Sequence, residues 1–188
     1  MTTIGYIVGS ISSTSINRTL AEALAKLAPE GVEFREIAIK DLPFYSPDLD
    51  GAFPQVAVDF KQAIADVDGV LIVTPEYSRS IPGVLKNALD WSARPYGQAS
   101  FDGKPTAVIG ASGGGIATAA AQQHLRAILG HYNAVTMGQP EGFIQLTPGL
   151  IDADGEVTAE STKEFLGFYL QSFLTLIARV EAARKHVA

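Results

Sequence analysis

Short apolar runs alternate along this chain with segments of helical period, and that alternation restricts the possible folds more than any other feature. Runs at 3–8, 32–38, 69–74, 105–110 and 133–137 read as strands, and segments at 16–28, 55–67, 82–93, 114–130 and 159–185 read as helices. Val56, Phe60, Ala63, Ile64 and Val67 give the second helix one apolar face, and Leu125, Ile128 and Leu129 anchor the fourth. Near-continuous apolar strands alternating with helices mean a parallel sheet covered on both faces and joined by right-handed crossovers. The expectation is an α/β protein with a doubly wound five-stranded parallel sheet, order 2-1-3-4-5, and helices on both faces. Its 188 residues, 47% apolar and 18% charged, suit one domain over 1–188.

In that strand order the loops after strands one, three and four share one crevice at the carboxyl edge of the sheet, where open α/β sheets hold their ligands. The third-strand loop is the most informative. Val70-Leu71-Ile72-Val73 runs into Thr74-Pro75-Glu76-Tyr77-Ser78-Arg79-Ser80-Ile81-Pro82, after which a helix begins. Pro75 ends the strand by withholding a ladder donor, and Pro82 suits a first helical turn. Pro75, Glu76, Tyr77 and Ser78 therefore offer backbone polar groups and an aromatic face to a planar ligand.

The first loop, Gly9-Ser10-Ile11-Ser12-Ser13-Thr14-Ser15-Ile16-Asn17, sets five hydroxyl side chains and an Asn before a helix. A helix N-terminus with open N–H groups and surrounding hydroxyls binds phosphate. An N-cap role explains Ser15 alone but not Ser10, Ser12 and Asn17 as well. The loop has neither the Walker spacing nor the dinucleotide glycine pattern, and a phosphate held by hydroxyls without Lys suits a resident monophosphate such as flavin mononucleotide, FMN.

The fourth-strand loop, Gly110-Ala111-Ser112-Gly113-Gly114-Gly115, lets the backbone approach a flat ligand because no Cβ intervenes. It also matches the hydrolase pattern Gly-x-Ser-x-Gly with Ser112 as nucleophile. Asp152 or Asp154 with His186 has the formal triad order, but His186 lies two residues from the last. His124 and His131 follow Ser112 too closely, and surface or structural roles are expected for all three His.

A net charge of −6 argues against nucleic-acid and anionic-membrane partners. The absence of Cys removes thiolate catalysis and thiolate metal sites, and the three His lack zinc spacing, so no metal is expected. No basic leader precedes the first strand and no apolar run approaches roughly 18 residues, so a cytoplasmic protein is expected. The connections at 39–54 and 138–157 are long enough to rim a site, with Leu42-Pro43-Phe44-Tyr45 as a candidate wall.

The first-loop residues, the run from Pro75 to Trp91, and Gly110 to Gly114 with Leu125-Arg126 together resemble the NADPH-dependent FMN reductase family, a flavodoxin-like group of quinone, chromate and azo-compound reductases. The resemblance covers roughly residues 3–180. It implies FMN with its phosphate at Ser10, Ser12, Ser15 and Asn17, with Ile16 in the same turn, and its ring against Pro75 to Ser78 and Ser112 to Gly114. It implies transfer of hydride from NADPH or NADH to the flavin N5, then of two electrons to a quinone-like, azo, chromate or flavin acceptor, with no catalytic side chain. Backbone N–H groups around Tyr77 and Gly113 would face the reduced ring, and Glu76 would contribute main-chain contacts. Two positions depart from the family: Ser12 stands where Arg is common, leaving Arg18 or Arg79 to compensate, and Ser78 stands where Asn is common. The alternatives are a flavodoxin-type electron carrier, disfavoured by a mild excess of 20 acidic over 14 basic residues, and the Ser112 hydrolase. Ala117, Ala119, Ala120 and Ala121, with the helix carrying Val84, Ala88 and Trp91, form a candidate face for a homodimer or homotetramer.

Overall fold

The computed structural model describes residues 1–187. Strands β1 (Thr2–Val8), β2 (Val32–Glu36), β3 (Gly69–Val73), β4 (Pro105–Ser112), β5 (Val135–Thr136) and β6 (Gly142–Gln145) build one sheet. Helices α1 (Ile16–Lys26), α2 (Gln55–Ala65), α3 (Gly83–Ser92), α4 (Ala119–His131) and α5 (Glu160–Val187) cover it. All pairings are parallel, in the order β2-β1-β3-β4-β5.

The sheet has six strands rather than the expected five. β5 pairs with β4 only at Pro105 and Thr106, and β6, inside the connection expected to be a loop, takes the same edge further along at Ile109 to Ser112. Between them Arg126 donates from Nη1 to the Met137 carbonyl at 2.6 Å. The fourth helix starts at Ala119, not 114, because the glycines are followed by Ala117 at φ 51 and the chain turns there.

Each face of the sheet buries its own helical layer. Phe60 and Ile64 of α2, Leu85, Leu89 and Trp91 of α3, and Leu125 and Leu129 of α4 pack on Ile7, Val70, Ile72 and Val108. Leu20 and Leu24 of α1, with Leu166, Tyr169, Leu170 and Phe173 of α5, pack on Ile4, Leu71, Val73 and Ile109. Residues of β3 alternate between the two cores, so all five are buried. Stacking the strands in this way brings the loops that leave β1, β3 and β4 to one end of the sheet.

Candidate functional site

Those three loops enclose a crevice of about 290 Å³. The first loop folds through its own side chains. Ser10 Oγ accepts from the Ser12 N–H at 3.3 Å, Ser12 Oγ from the Thr14 N–H at 3.2 Å, and Ser15, the N-cap of α1, from the Arg18 N–H at 3.3 Å. Ser10 and Ser15 are only 5% and 8% exposed, yet among the described residues neither hydroxyl proton has an acceptor. Both residues line the crevice beside the open first turn of α1, together with Ser12 and Ile16.

Asn17 also borders the crevice, but its amide is engaged elsewhere. It donates to the Ala111 carbonyl at 3.0 Å and accepts the Ala111 N–H at 2.8 Å, fully buried. The side chain expected on a phosphate thus ties α1 to β4.

Across the crevice stand Pro75, Glu76 and Tyr77, the last 53% exposed. Ser78 lies just beyond the lining, at φ 52 and followed by Arg79 at φ 63. Tyr77 and Ser80 exchange two backbone hydrogen bonds, 2.9 and 3.0 Å, closing a tight turn of the left-handed kind that Asn and Gly enter most readily. The Tyr77 N–H, expected to face a reduced ring, is therefore engaged by Ser80. Glu76 accepts from the Ala121 N–H at 3.1 Å and from Arg79 Nη1 at 3.2 Å. Ser80 Oγ meets His124 Nδ1 at 3.0 Å.

Ser112 and Gly113 complete the lining and Gly114 stands behind them, its N–H donating to Ser112 Oγ at 3.0 Å. A Cβ on Gly113 would meet nothing within 4 Å, so the space above it is open. At Gly110, by contrast, a Cβ would stand 2.1 Å from the Thr74 carbonyl oxygen; this glycine serves the close approach of two strand ends, not of a ligand. No His or carboxylate bonds to Ser112 among the described residues: His124 is on Ser80, His131 lies against Tyr132 at 5.5 Å, and His186 is at the end of α5. The triad is not assembled.

Both candidate cations for Ser12 are engaged by carboxylates. Arg18 is held by two bonds to the Glu36 carboxylate, 2.9 and 2.8 Å, and Arg79 is paired with Glu76. The Arg18 hydrogen bonds hold the Glu36 carboxyl below its ordinary range.

The wall expected from Leu42 to Tyr45 faces elsewhere. Pro43 accepts from Trp91 Nε1 at 2.7 Å, Tyr45 packs edge-on against Trp91 at 5.2 Å, and Phe44 is 87% exposed. Tyr45 borders a larger groove of about 990 Å³ between the far ends of α3 and α4, with Asp90, Arg94 and Tyr96. Tyr132 lines it too, its hydroxyl pushed up to about 12 by burial. No group of three or more His, Asp or Glu suited to a metal occurs among the described residues.

Comparison with known proteins gives one consistent result. Residues 2–147 match the family described as NADPH-dependent FMN reductase. The chain is 51% identical over 170 residues to a 2-hydroxy-1,4-benzoquinone reductase of Burkholderia sp, covering 90% of this chain and 93% of that one. It is 38% identical over 175 residues to a quinone reductase of Pseudomonas putida, covering 93% and 94%. Among solved structures it superposes on FerB, a flavoenzyme NAD(P)H:(acceptor) oxidoreductase from Paracoccus denitrificans, with a TM-score of 0.92 and 44% identity, covering 95% of this chain and 98% of that one. The chain belongs to the NADPH-dependent FMN reductase family and is an oxidoreductase that works with FMN and NAD(P)H.

Proposed function

We propose that the protein is an NAD(P)H:quinone oxidoreductase whose FMN occupies the crevice at the carboxyl edge of the sheet. The observation that carries this reading is the pair of buried serines, Ser10 and Ser15, which line the crevice beside the open N-terminal turn of α1 with no acceptor for either hydroxyl among the described residues. That donor set fits a phosphate monoester, and the open space over Gly113 opposite Pro75 and Tyr77 fits a flat ring. Bound FMN supplies the two-electron chemistry between the nicotinamide and the acceptor.

The protein's own part is placement. Ser10, Ser12 and Ser15 hold the phosphate through neutral donors, with Ile16 and Asn17 contributing first-turn N–H groups. Pro75 to Ser78 and Ser112 to Gly114 flank the ring, and the half-exposed Tyr77 walls the side a small-molecule acceptor enters. Quinones are the favoured acceptor class because the named activity of the relatives is quinone reduction; azo compounds, chromate and free flavin remain further candidates.

Assembly as a homodimer, or a homotetramer of paired dimers, belongs to the same reading, with half-exposed Val84, Ala119 and Ala120 as the part of the expected face open to a partner. Ala121, Ala88 and Trp91 are buried within the chain, because they pack between the helices and their own sheet, and Ala117 is buried in the turn before α4. Between α3 and α4 a shallow groove lined by Gly83, Lys86, His124, Ala127 and Ile128 adds to the outward surface available for such contact. A cytoplasmic setting completes the proposal and is supported by the use of soluble nicotinamide nucleotides; no described helix is long and apolar enough to cross a membrane.

Quenching of FMN fluorescence on titration with the protein, followed by anaerobic bleaching of the flavin with NADPH or NADH and its recovery on adding a quinone, tests the proposal. A protein that leaves FMN fluorescence untouched overturns it, and flavin left oxidised by both nucleotides favours the carrier. Light scattering that gives a flavin-loaded mass near the 19.9 kDa of one chain removes the dimer.

A further inference from the structure

The two walls of the crevice that would flank the ring are joined by one buried carboxylate. Glu76 leaves the end of β3, and its Oε2 accepts the N–H of Ala121, in the first turn of α4, at 3.1 Å across 45 residues of chain. Its Oε1 accepts from Arg79 at 3.2 Å; the Glu76 side chain is 9% exposed and that of Arg79 70%.

The α4 end needs this partner. Thr118 precedes the helix at φ −121, ψ 32 and makes no side-chain capping bond. First-turn N–H groups left without a local cap must find an acceptor elsewhere, and a carboxylate there also meets the positive end of the helix dipole. Between Ser112 and α4 the chain passes through Gly113, Gly114 and Gly115; added Cβ atoms at Gly113 and Gly115 would touch nothing within 4 Å. The three glycines do not themselves fix the first turn of α4; besides Glu76 it is held by buried Thr118 and Gln122 and, one turn on, by His124 on Ser80.

We infer that Glu76 is a positioning residue: its carboxylate clamps α4 to the β3 loop and so sets the gap between Tyr77 and Gly113 in which the flavin ring lies. The inference rests on the FMN reading for its ligand, while the clamp itself is a property of the flavin-free chain. Arg79, mostly in solvent, is peripheral to it.

The test uses two readouts. In flavin-free protein, amide exchange at Ala121 accelerates in Glu76→Ala and in Glu76→Asp, which keeps the charge but loses the reach. It accelerates less in Glu76→Gln, which keeps a neutral acceptor. In equilibrium titrations Glu76→Ala and Glu76→Asp weaken both FMN and riboflavin about tenfold, Glu76→Gln restores binding to within about threefold, and Arg79→Ala stays within about twofold. Ser15→Ala separates the two ends of the ligand, since it weakens FMN and spares riboflavin. Unchanged exchange at Ala121 overturns the clamp, and faster exchange with unchanged riboflavin affinity overturns its role in the crevice. Wild-type protein that binds neither flavin overturns the site assignment instead, and exchange at Ala121 then decides the clamp alone.

Discussion

The loops after β1 and β3 face each other across one crevice and are built in opposite ways. From Ser10 to Ser15 the chain folds on itself: its side-chain bonds join residues two or three apart. From Pro75 to Ile81 the chain is held from outside, by Ala121 on Glu76 and His124 on Ser80, 45 and 44 residues away, and it carries two residues at positive φ. A loop whose backbone N–H groups are taken up by its own hydroxyl oxygens is formed as soon as its helix forms. A loop with left-handed Ser and Arg closes on its own Tyr77–Ser80 bonds but also leans on distant elements.

The strongest way to break this contrast is at Asn17, at the end of the first loop, whose side chain has a remote partner. Asn17→Ala leaves the buried N–H and C=O of Ala111 without their side-chain partners, and a loss of about 3 kcal/mol in a urea-unfolding experiment is expected. A loss under about 1 kcal/mol would place the first loop wholly under local control. Next is Ser15→Ala, which removes the α1 cap; about 1 kcal/mol of stability should go with it, measured the same way.

Ser78 sharpens the comparison from the other side. Asn tolerates the left-handed region better than Ser, so Ser78→Asn should stabilise by about 0.5 kcal/mol, read as a higher urea midpoint. A midpoint that falls would mean the turn is not strained there.

The smallest effect is expected where α1 meets β2. Arg18 lowers the folded-state pKa of Glu36, so the pair stabilises the protein above the ordinary carboxylate value of 4.5, and that contribution is lost as pH falls through the lowered folded value. Both side chains are about a third exposed, which limits it to a few tenths of a kcal/mol. Glu36→Gln should show a correspondingly shallower decline in melting temperature below pH 4.5, with no change at its acid limb counting against the pairing.

The same division explains what the sequence discloses. Strands β1 and β3 lie within a residue or two of the expected runs, because buried parallel strands are continuous apolar segments bounded by turn formers. The meeting of three loops at one crevice followed from strand order alone. Gly142–Gln145 reads as loop in the sequence because four residues near Pro140 and Pro148 carry too little periodicity, and its place beside β4 is open only because β5 stops after two residues. The inward placing of two α3 residues is hidden in the sequence for a related reason. Ala88 and Trp91 look equally apolar whether they face the sheet or a partner, and Trp91 is drawn inward by the Pro43 carbonyl. The bonds of Asn17 and Glu76 to backbone groups had no local signature at all.

The divided edge formed by β5 and β6 has a consequence for how the protein shares a crowded solution with copies of itself. An unbroken outer strand would present a row of unpaired amides on which another chain could extend the sheet, the usual beginning of aggregation. Here that row is cut into pieces of two and four residues. The opposite edge, β2, is five residues long and carries Glu33, Arg35 and Glu36. Neither side offers a template for strand addition, so encounters between copies are left to the helical surfaces, where side chains rather than backbone decide which contacts last.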